Sequence, residues 1–221
     1  MHESVQNLIN IKNLINSNLS DLNFLDRSPK IIAVSKTFKL DHILPLIEYG
    51  HDHFGENKVQ EAIDKWSDIK KNKNNLKIHL IGKLQTNKVK HAIKLFDFIH
   101  SLDSEKLANK ISVEQKKLQT KPKIFIQINI GNESQKSGIR INELEEFYKY
   151  CLKLDLDIIG TMCLPPINED PERYFMRMSY LNKKLNLNDI SMGMSSDYLE
   201  AIKYNSTYLR LGTKIFGKRT L

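Results

Sequence analysis

The sequence predicts an α/β chain folded as a single-domain (β/α)8 barrel, and three observations carry that expectation. Short runs rich in β-branched residues recur, and IIAVS at 31–35 is apolar almost throughout, as in a strand covered on both faces. These runs alternate with segments whose apolar residues recur at helical spacing. Eight strand candidates fit into 221 residues, which suits one closed parallel barrel with short loops. An open doubly wound sheet has the same periodicity and stands as the alternative.

Residues 3–19 read as a helix, because Val5, Leu8, Ile9, Ile15 and Leu19 share a face. After the 31–35 strand a helix at about 40–49 stops at Gly50. HDHFG (51–55) is the second strand and 57–69 the next helix. The Asn/Lys-rich stretch 70–77 reads as a solvated loop leading into KIHLIG (77–82), the third strand, followed by a helix over 85–95. FDFIHSL (96–102) is the fourth strand, and Asp103 or Ser104 caps the helix 103–117. KIFIQINI (123–130) is the clearest strand, with a helix at 142–153 behind it. LDIIGTMCL (156–164), DISMG (189–193) and TYLRLG (207–212) complete the strands, with helices at 171–186 and 195–204 and a short helical tail. There is no repeat, linker or low-complexity tract, so residues 1–221 are expected to form one domain.

Composition narrows the functional classes. With 40% hydrophobic residues the chain can bury a real core, which argues against disorder. Cys151 and Cys163 have neither the number nor the spacing of a disulfide framework or zinc site, and favour a reducing compartment. No basic-then-apolar start and no run of about 18 apolar residues occurs, so a cytoplasmic protein without a membrane span is expected. The net charge of +8 admits a nucleic-acid-binding face, but its lysines are scattered and no aromatic-rich basic strand accompanies them. No partner nucleic acid is therefore expected. The His residues show no metal-ligand spacing, and no metal is expected.

Lys36 follows strand one directly, at the end where barrels carry functional groups. Desolvation there favours a free amine able to condense with an aldehyde; the plainer alternative is a surface lysine at a loop start. Strand seven ends in SMGMSS (191–196) and strand eight in RLGT (210–213). Gly with Ser or Thr at these turns offers backbone N–H groups and hydroxyls to a phosphate, although Ser196 or Thr213 capping a helix is the plainer reading. Phosphate and an amine in one barrel mouth suggest pyridoxal 5′-phosphate held as a Schiff base. Phosphosugar aldolases also use a barrel lysine, but on a middle strand. Arg210 lies two residues before Gly212, so both can face the mouth and Arg210 can meet a pyridine nitrogen; pairing with a carboxylate is the alternative. Asn57 can reach the cofactor and Glu56 can orient a neighbour. His79 reads as a satisfied core residue sooner than as an acid or base.

The segments AVSKT (33–37), HFGENKVQE (53–61), HLIGKLQTNK (79–88), QINIGNESQKSGI (127–139), SMGMSSD (191–197) and RLGTKIFG (210–217) together resemble the pyridoxal phosphate homeostasis proteins. That family is similar to the barrel domain of alanine racemase standing alone. The resemblance implies pyridoxal phosphate on Lys36, a cofactor contact from Met194 and phosphate contacts chiefly from Ser195, Gly212 and Thr213. It also places Arg210 near the pyridine nitrogen and Asn57 near the ring. It implies a role in vitamin B6 supply and amino-acid balance without established turnover; pyridoxal-phosphate-dependent apo-enzymes are the expected partner class and a monomer the expected state. A weak amino-acid racemase is the alternative, but the chain has no residues for the second domain that supplies the opposing base. Lys58 departs from the family, which usually has Tyr there, and Cys163 stands where many relatives have a small or apolar residue; the first is expected to alter ring contacts or cofactor exchange.

Overall fold

The computed structural model describes residues 1–21 and 28–217. Its strands are β1 (Lys30–Val34), β2 (His53–Glu56), β3 (Lys77–Leu80), β4 (Phe98–Leu102), β5 (Lys123–Ile128), β6 (Asp157–Cys163), β7 (Asp189–Met194) and β8 (Tyr208–Leu211). Each pairs in parallel with the next, and β1 pairs in parallel with β8, through Ile32 beside Arg210 and Ala33 beside Leu211. The sheet therefore closes on itself, and the open doubly wound alternative falls away. Closure also makes strands one, seven and eight neighbours, which is what gathers the two ends of the chain at one mouth.

The helices among the described residues are α1 (Glu3–Asp21), α2 (Leu40–Glu48), α3 (Val59–Asn72), α4 (Val89–Leu95), α5 (Glu105–Leu118), α6 (Leu144–Lys153), α7 (Glu172–Lys184), α8 (Tyr198–Lys203) and α9 (Thr213–Phe216). They form the outer layer. Leu8, Ile15, Trp66, Ile111 and Phe175 pack inward against the outer faces of the strands in one continuous core. That layout explains the nearly unbroken apolar strands: both faces are covered. Burying a Leu or Phe side chain contributes about 1.5–3 kcal/mol, so the helical stripes hold the layer without help from propensity.

Boundaries differ from the sequence reading for local reasons. His51 and Asp52 precede the second strand, because the His51 N–H donates to Leu46 O and closes the turn after α2. Residues 86–88 and 141–143 form 3-10 turns before α4 and α6, and 70–72 extend α3 rather than beginning a loop. Ser104 is the cap of α5, its Oγ accepting from the Leu107 N–H at 3.4 Å. A second, smaller apolar cluster fills the barrel interior: Ile32, Phe98, Phe125, Met162 and Tyr208. The interior is thus a packed core, capped at the C-terminal ends of its strands by the mouth where barrels carry functional groups.

Candidate functional site

A cavity of about 630 Å³ opens at the C-terminal ends of the strands. Lys36, Asn57, Met194, Ser195, Arg210, Gly212 and Thr213 all line it, so every site residue anticipated from the sequence lies in one place. Lys83, Gln127, Gln135, Lys136 and Ser137 line it too, and of these Lys83 and Gln127 were missed in the sequence. Most of these come from the polar loop after β5, which folds over the mouth; Lys136 Nζ donates to Pro165 O at 3.1 Å and so ties that loop to the one after β6.

Lys36 is half-buried at the exit from β1. The residue before it is clamped from behind. Ser35 is fully buried, its Oγ donates to Glu56 Oε1 at 2.7 Å, and its carbonyl accepts from Lys65 Nζ at 2.8 Å. Lys65 also pairs with Glu56 at 2.9 Å, and Trp66 Nε1 donates to the same carboxylate oxygen at 3.0 Å. Glu56 thus does orient a neighbour: it fixes the strand end from which Lys36 projects. The turn beyond is strained, with Thr37 at φ 69°.

The opposite wall is made by the turns after β7 and β8. Gly193 adopts φ 90°, and a Cβ there would stand 2.7 Å from the Ala201 Cβ, so only glycine admits the tight exit from β7. The Met194 N–H donates to Asp197 Oδ1 at 2.6 Å and holds the turn. Ser195 Oγ then accepts from the N–H groups of Gly212 and Lys214, each at 3.3 Å. The two phosphate-type turns therefore meet at one hydroxyl. Neither Ser196 nor Thr213 caps a helix by its side chain; both face the cavity.

Arg210 is buried on β8, yet among the described residues its guanidinium reaches no carboxylate: Nη1 donates to Ser191 Oγ at 2.7 Å and Nη2 to the Cys163 carbonyl at 2.8 Å. Burial pulls its pKa below the ordinary value. The bond to residue 163 uses the backbone, so the departure to Cys leaves it intact; burial pushes that thiol up to about 12. Lys58 is turned outward, exposed and paired with Glu61 at 2.6 Å, and does not line the cavity. The Lys58 side chain thus joins the Glu61 pair rather than the cavity lining. Asn57 is placed by a close approach, since a Cβ on Gly82 would meet the Asn57 carbonyl at 2.3 Å.

Among the described residues the lining carries Lys36, Lys83, Lys136 and Arg210 and no carboxylate. An electropositive recess with backbone N–H groups and hydroxyls on one wall and an amine on the other suits a phosphorylated aldehyde. No group of three or more metal-type ligands occurs among the described residues, and no described helix is long and apolar enough to cross a membrane.

Fold and site define the class first: residues 12–220 match the family model for the alanine racemase N-terminal domain, a barrel of this architecture. An alanine racemase from Clostridium difficile superposes with a TM-score of 0.74 at 19% identity, covering 99% of this chain but 57% of that one, which shows the shared fold alone. The particular family follows from nearer relatives. A pyridoxal phosphate homeostasis protein from Aquifex aeolicus is 36% identical over 86% of this chain and 87% of its own length. PipY from Synechococcus elongatus, solved with pyridoxal phosphate bound, is 32% identical with a TM-score of 0.80, over 92% of this chain and 100% of that one. The chain belongs to the pyridoxal phosphate homeostasis protein family.

Proposed function

We propose that this protein holds pyridoxal 5′-phosphate through a Schiff-base linkage to Lys36 and serves vitamin B6 homeostasis as a carrier rather than a catalyst. The observation that carries the reading is the electropositive cavity that joins Lys36 to the paired turns of Ser195, Gly212 and Thr213. The PipY relative bound to the same cofactor supports it. The bound group supplies an aldehyde for the amine and a phosphate for the turns.

This chain's own residues do the rest. The Glu56–Lys65 pair fixes the base of Lys36, the β7 and β8 turns receive the phosphate, and Arg210 offers N–H donors to the pyridine nitrogen. An arginine donor keeps that nitrogen unprotonated, which disfavours carbanion chemistry. Met194 and Asn57 flank the ring. A racemase also needs an acid or base on the face opposite the lysine. Among the described residues no Tyr or His lines the cavity: Tyr198 is buried in α8, and Tyr204 points to Glu172.

The test is the absorption spectrum of purified protein incubated with pyridoxal phosphate, before and after borohydride. A band near about 420 nm that reduction fixes, and that Lys36→Ala lacks, is expected for an amine-linked cofactor. No such band in the wild type overturns the reading. Turnover of alanine enantiomers by the loaded protein would favour the racemase alternative.

A further inference from the structure

Three histidines run in file through the barrel interior beneath the cavity. His53 Nδ1 lies 2.8 Å from His79 Nε2, and His79 Nδ1 lies 2.9 Å from His100 Nε2. His100 Nδ1 lies 2.9 Å from Ser191 Oγ, which accepts from Arg210 Nη1. The file starts near the N-terminal end of the barrel and ends on the guanidinium that lines the cavity.

The hydrogen bonds admit one polarity. A guanidinium only donates, so Ser191 must accept from Arg210. The Ser191 hydrogen then has His100 Nδ1 as its acceptor. A neutral His100 that accepts on Nδ1 carries its hydrogen on Nε2 and donates to His79 Nδ1, and His79 repeats the pattern toward His53. His53 is left with an Nε2–H facing the Asp52 carboxylate, 3.9 Å away at the half-exposed end. The reverse polarity leaves the buried Ser191 hydrogen without a described acceptor. Burial holds His79 and His100 neutral, with pKa values well below ordinary, and the Arg210 charge adds to the effect at His100. The rings are wedged in place: His79 stacks on Phe98 at 4.2 Å and His100 on Phe125 at 4.3 Å.

We propose that His79 and His100, anchored at His53, are positioning residues for Arg210, holding its guanidinium through Ser191 as a donor turned toward the cavity. A carboxylate in that place would neutralise the guanidinium and draw it off the ligand. A hydroxyl polarised by a neutral histidine file satisfies the buried N–H and leaves the positive charge for the ligand. What the guanidinium faces rests on the cofactor reading; the file itself does not.

The experiment separates the two. Nitrogen-15 imidazole spectra of the full chain without cofactor are expected to show His79 and His100 neutral and protonated on Nε2 at neutral pH. A charged ring, or hydrogen on Nδ1, overturns the proposal. Arg210 side-chain hydrogens should exchange at least about tenfold faster in His100→Phe, which keeps the stacking on Phe125 but loses the acceptor. His100→Asn, with an oxygen near the Nδ1 position, should restore slow exchange. Ser191→Ala gives the same loosening should His100→Phe not fold, and unchanged exchange in these variants overturns the proposal. With pyridoxal phosphate added, the absorption band of His100→Phe should shift in its pH profile relative to wild type. Lys36→Ala should lose the band and keep slow Arg210 exchange. A wild type with an intact file and no band counts against the cofactor reading and for the positioning role.

Discussion

Thr37 is a β-branched residue at φ 69°, where side chains of that shape are rarely found. Such a conformation costs about 1–3 kcal/mol and persists only where neighbours impose it. Here the clamp on Ser35 does so, and the strain sits one residue past the lysine that the site needs. Thr37→Asn relaxes the strain, because Asn tolerates the left-handed region, and is expected to raise the unfolding free energy by about 0.5–1 kcal/mol in urea titrations. An unchanged midpoint would show that the turn carries no strain. The clamp itself predicts a larger effect. Glu56 is fully buried and bonded to Ser35, Lys65 and Trp66, so Glu56→Ala strands those donors and should cost about 3–5 kcal/mol. The double variant Glu56→Gln with Lys65→Met should cost less than Glu56→Ala alone. Lys36 was legible because it ends an apolar strand; Lys65 was not, because nothing in an amphipathic helix marks which lysine turns inward.

At the scale of elements, the site is a junction between turns. The Ser195 hydroxyl at the end of β7 accepts from two N–H groups at the start of α9. Ser195→Ala removes both contacts and should lower stability by about 1 kcal/mol while weakening phosphate or pyridoxal phosphate binding about tenfold, measured by calorimetric titration. A loss of stability with unchanged binding would reduce Ser195 to a structural tie. On the other wall, Gly82→Ala drives a Cβ against the Asn57 carbonyl at 2.3 Å. The β2 and β3 turns must then part, at about 1–3 kcal/mol, with a matching fall in cofactor affinity. The sequence exposes these turns through their Gly and Ser/Thr content. It does not reveal that two of them share one oxygen, since residues 195 and 214 meet only when β7 and β8 pair.

For the whole molecule, the buried histidines set the pH response. Burial drops His51 from 6.5 to about 4, and lowers His53, His79 and His100 as well. The unfolded chain protonates these rings near 6.5 while the folded one does not. Their contribution to stability is thus fully present above pH 6.5 and is lost progressively as pH falls below it, for His51 down to about 4. Each such ring can add up to about 1.4 kcal/mol per pH unit to the slope. Urea midpoints should be flat above pH 6.5 and fall steeply below it. His51→Gln, which keeps a donor for the His53 carbonyl but cannot titrate, should flatten the fall. A slope equal to wild type would place the acid sensitivity elsewhere. The sequence by itself determined a parallel sheet of alternating strands and helices, because apolar strands alternating with one-sided helices leave few other ways to cover both sheet faces, while closure into a barrel was decided by the pairing of β1 with β8. It also marked Lys36, Arg210 and the two phosphate-type turns, because strand ends and Gly-Ser turns are local features. Only the tertiary structure decided what stands behind them: the outward turn of Lys58, the Glu56–Lys65 clamp, and the histidine file ending on Arg210. No local pattern encodes which way a lysine turns, and the file joins residues of distant strands, whose interior contacts are fixed by register and closure.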